Sequence, residues 1–370
     1  LLIHLPYESF DESVVNFLYS AANDKDVLAI KQTLYRVSSS SPVVQALEKA
    51  VQNGKQVTVL MEVKARFDEA NNILMARRLE KAGAHVIYGL VGLKTHSKCT
   101  LVIRREQDGI RRYVHVATGN YNASTAKLYT DLGILTCNDR FGIDASAFFN
   151  LLSGYSDPPI WDSFIVAPIN LRQRCIELID REIHFAKNGE DAHMIAKMNS
   201  LLDKGIIEKL YEASQAGVKI ELIVRGICVL IPGIPGVSDN ITVRSIVGRF
   251  LEHSRIFWFR NGGREELYIS SADWMPRNLN DRVELMVPIE DPEIKRRLKQ
   301  MVDIELSDNQ KAHIMQADGT WLKTISAENQ LCAQEYFQKI AEKRDAEDEM
   351  TLAQKLEPYT PVLGHGDGSD

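Results

Sequence analysis

The chain has 370 residues, of which 45% are hydrophobic and 25% are charged, a composition typical of a globular protein with two domains of ordinary size. No apolar run approaches the roughly 18 residues of a membrane span, and five Cys without paired spacing favour a reducing, cytoplasmic setting. The net charge of −6 excludes a global basic field that would recruit nucleic acid, so a polyanionic ligand would need a pocket of concentrated positive charge.

The first half of the chain alternates strand and helix patterns. It opens at Leu1 without Met, so we expect a natural N-terminal part to be missing. Apolar, β-branched runs over Val27–Val37 and Gln56–Val63 predict two strands. Between them, Pro42–Lys55 has a helical period, with Pro near its start and Gly near its end. Strand, helix and strand in this order predict a βαβ unit.

The second half repeats the order of the first. Ala192–Leu201 and Ile220–Gly226 are strand-like, and a helical segment closed by Gly lies between them over Gly205–Lys219. Small polar turns also recur, at Thr118–Ser124 and Ser270–Asn278, each after a further short apolar run. One unit repeated twice explains these matches best. We therefore predict an α/β fold of two tandem domains related by a pseudo-twofold duplication.

The boundary between the two domains is predicted in Ser153–Pro168, where Pro, Ser and Gly cluster. It divides the chain into one domain over 1–155 and another over 156–370, of which the second ends in a helix and a polar, frayed tail. A long helix pattern follows the boundary, and its three arginines could form a solvated face or reach an anion site: Arg172, Arg174 and Arg181.

A histidine followed two residues later by a cation occurs once in each half. Alternate residues of a strand share one face, and a structural histidine is the better interpretation of one such motif alone. The recurrence favours catalysis, because two halves packed about a pseudo-twofold axis would bring both motifs to one cleft. A neutral imidazole beside a cation is a nucleophile for phosphorus, and the cation can bind phosphoryl oxygens. We therefore expect His96 and His253 to be catalytic, and Lys98 and Arg255 to bind phosphate.

The polar turns fit the same cleft. Gly119 allows close approach of the backbone, and Asn120 or Asn122 can supply amide donors. In the second turn, Asp273 can orient a histidine. Simple turns remain the alternative for both segments.

Arginines end several of the predicted strands, with Arg36 and Arg66 in the first half and Arg225 in the second. The carboxyl ends of strands form the ligand crevice of α/β sheets. Guanidinium groups match phosphate oxygens, so three arginines at strand ends predict a phosphate-binding rim. We expect Arg282 and His115 to join this rim, with a purely structural role as the alternative for each.

A His-x-Lys or His-x-Arg motif and a small turn rich in Asn or Ser in each half resemble the phospholipase D superfamily. The hydrolases of that superfamily carry an Asp five residues after the Lys, where this chain has Ile103 and Arg260. This departure argues against phosphodiester hydrolysis. A phospholipase D-like phosphodiesterase is kept as the first alternative function, and a non-catalytic polyanion-binding module is the second.

Longer motifs resemble one family more closely, the bacterial polyphosphate kinases, which make long-chain polyphosphate from ATP. The motifs run from Leu1 to Pro288 and include "ARFDEANN", "GLKTHSK", "ATGNYNASTAKLYTDLG", "SIVGRFLEHSRI" and "YISSADWMPRNL". The resemblance implies two C-terminal catalytic domains, without the helical domain and the head domain that precede them in the family. It also implies Mg²⁺ as cofactor and ATP, ADP and polyphosphate as ligands. The resemblance implies, in addition, that the full-length protein is a homo-oligomer. It also implies a cytoplasmic location that extends to the inner face of the membrane.

The resemblance also implies roles for residues at matching positions. His96 matches the histidine that is phosphorylated during reversible transfer of the ATP γ-phosphate to polyphosphate. His253 matches a second essential histidine that donates or accepts a proton. ATP contacts are implied for Tyr129, Arg225 and His253, and magnesium contacts for Arg36 and Arg66. Guanidinium has no free lone pair, so we expect these two arginines to hold the phosphates that carry the metal.

Overall fold

A computed structural model of the protein describes residues 1–38, 40–63, 69–154 and 160–355. Two mixed β-sheets form its centre, one mainly from each half of the chain, and helices pack on them. The predicted α/β fold is confirmed. None of the helices in the described ranges combines the length and the apolar character that a membrane crossing requires.

The first half contains eight strands, four α-helices and two shorter helical turns within the described residues. In chain order they are β1 (Leu2–Leu5), a π-helical turn (Asp11–Val15), α1 (Asn16–Asn23), β2 (Val27–Leu34), α2 (Pro42–Gln52), β3 (Gln56–Met61), α3 (Glu69–Ala82), β4 (His85–Tyr88), β5 (Lys94–Thr95), β6 (Lys98–Glu106), β7 (Gly109–Ala117), a 3₁₀ turn (Thr125–Lys127), β8 (Tyr129–Thr136) and α4 (Asp139–Leu152).

The second half follows the same plan and adds elements at its end. In chain order they are β9 (Ile165–Ala167), α5 (Leu171–Lys187), β10 (His193–Met198), α6 (Lys204–Gln215), β11 (Lys219–Val224), β12 (Ile241–Ile246), β13 (Leu251–Glu252), β14 (Arg255–Phe259), a 3₁₀ turn (Asn261–Gly263), β15 (Glu266–Ser270), α7 (Pro276–Asn280), β16 (Arg282–Pro288), α8 (Pro292–Leu306), β17 (Ala312–Met315), β18 (Trp321–Lys323) and α9 (Ala333–Lys355).

The two sheets have the same strand order. β8, β7, β6, β2, β3 and β4 lie side by side in the first sheet, and β16, β15, β14, β10, β11 and β12 lie side by side in the second. The last three strands of each set are parallel to one another, and the other pairs are antiparallel. β1 and β9 join the sheets in equivalent places, beside β8 and β16. This equivalence confirms the predicted duplication.

Helices α2 and α6 occupy equivalent places in the two βαβ units and begin in a similar way. Ser41 Oγ accepts a hydrogen bond from the backbone N–H of Val44 at 3.4 Å, and Pro42 follows in the first turn. Asp203 Oδ1 accepts from the backbone N–H of Ile206 at 3.0 Å. A side-chain acceptor before the first turn satisfies a backbone N–H group that has no partner inside the helix. The side chain before each helix therefore helps to fix where the helix begins.

Each sheet also receives a two-residue strand from the other half. β13 runs parallel to β8, with Leu251 opposite Tyr129, and β5 runs parallel to β16, with Lys94 opposite Arg282. Both short strands immediately precede a His motif. The exchange therefore places each of the two histidines beside a strand of the other half.

One hydrophobic cluster contains side chains from both sheets. Leu101 and Val116 come from the first sheet, Ile195 and Ile256 come from the second, and Phe148 of α4 packs among the same cluster. All five are at most 2% exposed. Burial of this apolar surface stabilises the docked arrangement of the sheets, by about 25 cal/mol for each Å² removed from water. The two halves therefore hold a fixed relation, which a site between them requires.

Candidate active site

His96 lies between β5 and β6, where the first half reaches the second sheet. Its backbone N–H donates to the carbonyl O of Val283 at 3.0 Å. The residue is 7% exposed, and its Nδ1 is hydrogen-bonded to Oε2 of Glu284 at 3.0 Å, with Oε1 at 2.9 Å. A carboxylate that accepts the Nδ1 proton leaves the lone pair of Nε2 available to an electrophile. The position of Glu284 therefore favours His96 as a nucleophile at Nε2.

His253 has the equivalent environment on the other side. Its backbone N–H donates to the carbonyl O of Thr130 at 3.2 Å. Its Nδ1 lies 2.9 Å from both carboxylate oxygens of Asp131. Asp131 is the third residue of β8, and Glu284 is the third residue of the equivalent strand β16. Each histidine is thus oriented by a carboxylate of the other half.

A hydroxyl group holds each of these carboxylates. Thr118 Oγ1 donates to Oδ1 of Asp131 at 2.7 Å, and Ser271 Oγ donates to Oε2 of Glu284 at 2.5 Å. Gly119 packs so closely that an added Cβ would lie 2.1 Å from Oδ2 of Asp131. We expected the backbone at Gly119 to come close to another group, and that group is the carboxylate of Asp131.

Lys98 and Arg255 each bind the carbonyl group of the histidine two residues before them. Lys98 Nζ donates to the carbonyl O of His96, and Arg255 Nη1 donates to the carbonyl O of His253 at 2.7 Å. Both cations are buried. Arg255 also donates to both carboxylate oxygens of Asp273, at 3.1 and 3.2 Å. The expectation that Asp273 orients a histidine is therefore wrong, because the guanidinium fork takes both of its oxygens.

Burial favours the neutral form of both imidazoles. Burial lowers the pKa of His96 well below its ordinary range, and the charges of cations that include Lys98 and Arg255 lower it further. Burial also lowers the pKa of His253, where Asp131 opposes the shift and Arg255 adds to it. A neutral imidazole is the form that acts as nucleophile or base. Because Arg255 acts on both rings, the two halves contribute to one site.

Glu284 and Lys98 titrate near neutral pH. Burial raises the pKa of Glu284 to about 7, although the charge of Lys98 opposes the shift. Burial lowers the pKa of Lys98 to about 7, although the charge of Glu284 opposes that shift. Perturbed groups of this kind concentrate at functional sites. The charge around His96 therefore depends on pH in the physiological range.

Tyr35, directly after β2, packs against the ring of His96. The two ring centroids are 4.8 Å apart and the ring planes are at 85°. The guanidinium carbon of Arg36 and Nζ of Lys98 each lie 5.6 Å from the centroid of the Tyr35 ring. This places Arg36 on the His96 side of the site, whereas Arg66 lies outside the described residues. Sequence reasoning missed Tyr35, although its place at the end of a predicted strand was visible.

An open cleft of about 640 Å³ lies beside His253. Tyr129, Arg225 and the segment 246–252 line it. The ring centroid of Tyr129 is 5.2 Å from that of His253, and the guanidinium group of Arg225 donates to Oδ1 of Asn199 at 2.9 and 3.0 Å. An aromatic ring, a cation and apolar side chains suit a ligand with a planar and an anionic part. The three residues predicted to contact ATP are therefore brought together.

Arg282 occupies, in the second half, the position that Tyr129 has in the first. Each is the first residue of its strand, β16 or β8. Nη1 of Arg282 lies 3.9 Å from Oε1 of Glu284, and its side chain is 15% exposed. The duplicated site is thus asymmetric at this point, with an aromatic ring on the His253 side and a cation on the His96 side.

His115 does not reach the cleft. It is 2% exposed, and its Nδ1 lies 2.9 Å from the hydroxyl of Tyr121. Burial lowers its pKa to about 4. An added Cβ at Gly133 would lie 2.6 Å from its Nε2, so the ring packs against the strand that carries Asp131. The structure therefore does not place His115 among groups that could contact phosphate.

Other polar side chains singled out in the sequence have local partners. Asn122 Oδ1 accepts from the backbone N–H groups of Ser124 and Thr125 at 3.0 and 3.1 Å, as in an ordinary turn. The arginines of α5 pair with carboxylates of their own half, Arg172 with Asp203, Arg174 with Glu177 and Arg181 with Glu266. These contacts favour the interpretation of a surface face over that of an anion site.

The described residues do not form a magnesium site of their own. No group of three or more His, Cys, Asp or Glu side chains in these ranges is arranged to hold a metal ion. The carboxylates of the site, Asp131 and Glu284, are engaged by the histidines.

Asp131 and Glu284, the carboxylates that contact the two histidines, were also missed by sequence reasoning. They lie 122 and 188 positions from the histidines that they contact. A signal was nevertheless present in the repeat, since both follow a small polar turn and both are the third residue of equivalent strands. Alignment of the two halves by those turns would have found them.

Two family models match the chain. Polyphosphate kinase C-terminal domain 1 matches residues 1–158, and polyphosphate kinase C-terminal domain 2 matches residues 164–334. The polyphosphate kinase of Halalkalibacterium halodurans is 60% identical over 312 residues, which are 84% of this chain and 44% of that protein. The crystal structure of polyphosphate kinase from Porphyromonas gingivalis has a TM-score of 0.87 at 39% identity, over 94% of this chain and 53% of that one.

A more distant structure shares the fold alone. Phosphatidylserine synthase from Haemophilus influenzae has a TM-score of 0.54 at 12% identity and covers 92% of both chains. The architecture is thus that of two tandem α/β domains, as expected. The chain spans about half the length of the curated relatives it matches. By its motifs, its fold and these matches, the chain belongs to the polyphosphate kinase family, of which it carries C-terminal domains 1 and 2.

Proposed function

We propose that this chain forms the catalytic part of a polyphosphate kinase, which transfers the γ-phosphoryl group of ATP reversibly to inorganic polyphosphate through a phosphohistidine at His96. The crossed pairing of His96 with Glu284 and of His253 with Asp131 carries the proposal. In each pair the carboxylate contacts Nδ1 of the imidazole and not Nε2, so the site holds two neutral imidazoles whose Nε2 atoms are not bound by a carboxylate. The 60% identical relative is named polyphosphate kinase, which supports phosphoryl transfer over hydrolysis.

The reaction has two displacement steps. In the first, Nε2 of His96 attacks the γ-phosphorus, the N–P bond forms, and the P–O bond to the β-phosphate breaks, so that ADP leaves with the electron pair. In the second, a terminal oxygen of polyphosphate attacks the same phosphorus, and the N–P bond breaks. One P–O bond replaces another, so charge balances without a net proton. Positioning and charge neutralisation should supply most of the catalysis.

The neighbours of the two histidines have separate tasks. Glu284 keeps the proton on Nδ1 of His96, so that Nε2 is available in each turnover. His253, whose Nδ1 is bound to Asp131, can donate or accept a proton at Nε2. Polyphosphate carries about one charge per phosphate, and cationic side chains share the task of neutralising it: Arg36, Lys98, Arg225, Arg255 and Arg282. Mg²⁺ bound to the nucleotide would neutralise further phosphate charge.

The test is incubation of the full-length protein with γ-labelled ATP. We expect protein-bound label that is lost in acid and survives alkali, as a phosphohistidine would be. His96→Gln should take up no label, because the attacking Nε2 is gone. His184→Gln is the matched control, since His184 lies exposed on α5, and it should label as the wild type does.

The fate of the label separates the alternatives. Transfer from the isolated labelled protein to polyphosphate, and to ADP in the reverse direction, supports the kinase. Release of label only as inorganic phosphate would instead indicate a phosphodiesterase-like hydrolase. Polyphosphate binding without any labelling would indicate a non-catalytic polyanion-binding module.

A further inference from the structure

Gln334, near the start of α9, binds the segment that leads to His253. Its Oε1 accepts from the backbone N–H of Phe250 at 2.9 Å, and its Nε2 donates to the backbone O of the same residue at 2.9 Å. Nε2 also donates to Oε1 of Glu252 at 2.6 Å. The residue is 4% exposed, and a Cβ at Gly248 would lie 2.3 Å from its Oε1. One carboxamide therefore holds the segment 248–252 at several points.

Glu252 extends this contact to the strand that carries the carboxylate partner of His253. Its Oε2 accepts from Oγ1 of Thr130 at 2.8 Å and from Nζ of Lys197 at 2.6 Å. Lys197 in turn binds Glu305 of α8. Buried hydrogen bonds of this kind restrict the conformations of the groups they join. Loss of Gln334 would leave Oε1 of Glu252 and the backbone groups of Phe250 without these partners.

The same segment is a wall of the cleft beside His253. Residues 246–252 line that cleft together with Tyr129 and Arg225. The guanidinium carbon of Arg249 lies 5.3 Å from the ring centroid of Phe250. Gln334 does not line the cleft, so it can act on a bound ligand only through the wall that it holds.

The equivalent segment before His96 is held differently. The backbone N–H of Lys94 donates to the carbonyl O of Asp281 at 3.2 Å, as that of Leu251 donates to the carbonyl O of Leu128 at 2.9 Å, so this bond is common to both halves. The difference is that the backbone N–H of Thr95 donates to a side chain of the first half, Oε2 of Glu62, at 2.8 Å. Glu62 directly follows β3, and Asp281 directly precedes β16. The contact with α9 is therefore a feature of the His253 side, which the duplication does not provide for His96.

We propose that Gln334 is a positioning residue for the nucleotide side of the site, which sets the place of the segment 248–252 and, through it, of His253. This inference rests on the proposed kinase function. It makes the first turn of α9 a determinant of nucleotide affinity, although α9 contributes no group to the cleft within the described residues.

The test compares Gln334→Ala and Gln334→Glu in the full-length protein. The Glu variant keeps an acceptor for the Phe250 N–H, but it loses the donor and brings a second carboxylate to Glu252. Each variant loses at least two hydrogen bonds to the segment. We therefore expect the KM for ATP in polyphosphate synthesis to rise about tenfold or more, while the KM for polyphosphate in the reverse reaction stays unchanged.

Gln338→Ala is the matched control, because Gln338 lies one turn further along α9 and donates to Glu342 of the same helix. It should keep both KM values, and melting temperatures establish that each variant is folded. A folded Gln334 variant with the wild-type KM for ATP would overturn the inference. An equal rise for both substrates would also overturn it, since that marks a purely structural role.

The failure of the kinase proposal has a different signature. Wild-type protein that makes no polyphosphate from ATP would contradict the proposed function. The Gln334 variants could still test the inference, because nucleotide binding does not require the reaction. Nucleotide affinity measured directly by calorimetry would then decide the inference. Equal ATP affinity of the wild type and both Gln334 variants would overturn it, and weaker binding by both variants would support it.

Discussion

The Nδ1 atom of His96, in the first domain, lies 2.9 Å from Oε1 of Glu284, in the second domain. The carboxylate is completely buried. A buried acceptor for the Nδ1 proton determines both the orientation of the ring and its tautomer. The proposed nucleophile therefore depends on a domain other than its own.

Glu284→Gln should slow the phosphorylation of His96 by on the order of 10²- to 10⁴-fold. Gln keeps the shape of the side chain, but its amide can donate to Nδ1 and so move the imidazole proton to Nε2. Label uptake from γ-labelled ATP in a single turnover measures the rate. Glu290→Gln is the control, since Glu290 pairs with Arg140 at the surface. A wild-type rate for Glu284→Gln would contradict the role of the carboxylate.

The rate of His96 phosphorylation should rise with pH through about 7, because burial raises the pKa of Glu284 to about 7. Below that pH the protonated carboxyl group donates to Nδ1, and Nε2 carries the proton. Above it the carboxylate accepts from Nδ1, and Nε2 is free to attack. A pH profile of single-turnover label uptake should show this rise in the wild type and lack it in Glu284→Gln. The same rise in both proteins would sink the assignment.

The variant Lys98→Met tests whether the buried ammonium group of Lys98 has a lowered pKa, through the pH dependence of the free energy of unfolding. Burial lowers the pKa of Lys98 to about 7, whereas the unfolded chain keeps it near about 10.4. Between these values the unfolded chain binds a proton that the folded site releases. The free energy of unfolding therefore rises with pH, by at most about 1.4 kcal/mol per pH unit.

Met does not titrate, so this rise should be missing from the variant. Urea unfolding from about pH 7 to about pH 9 should show a stability difference that grows in favour of the wild type. A difference that is independent of pH would mean that Lys98 keeps its proton in the folded site.

Gly119→Ala should displace Asp131, because the new Cβ would lie 2.1 Å from its Oδ2. Overpacking of this kind costs roughly 1–3 kcal/mol, and His253 would lose its partner, so we expect lower stability and lower activity. Thermal unfolding in a double-mutant cycle checks the cause. Asp131→Ala removes the clash, so Gly119→Ala should then cost little. An equal cost in both backgrounds would point to another origin.

Tyr129→Ala should raise the KM for ATP about tenfold, whereas Tyr129→Phe should leave it near the wild-type value. The ring packs 5.2 Å from that of His253 and lines the cleft, so the aromatic face is the part that acts. Steady-state kinetics with varied ATP measures the effect. Tyr88→Ala, at an exposed tyrosine of β4, is the control. A tenfold effect in Tyr129→Phe would assign the role to the hydroxyl instead.

The regular elements near the site could be predicted from the sequence. The run Val27–Val37 corresponds to β2, and the helical period over Pro42–Lys55 corresponds to α2. Apolar periodicity and the Pro and Gly signals at helix ends are local properties of a chain, so they survive in a single sequence. Recurrence of the same order in the second half then predicted that the two sheets would match.

The partners of the histidines could not be predicted in the same way. Asp131 and Glu284 meet them only after two sheets have formed and docked, and no local pattern records such a contact. Asp273 stood nearer to His253 in the sequence and lay within a suitable turn. It was the wrong choice, because Arg255 on the neighbouring strand offers it two parallel hydrogen bonds.

The exchange of β5 and β13 makes the two histidine–carboxylate pairs depend on each other. Neither sheet is complete until the other half supplies a strand, and neither histidine meets its carboxylate before that moment. A chain with only one folded domain would therefore have no half-working centre. Separation of the two halves would break both histidine–carboxylate pairs at once, because each pair joins one half to the other.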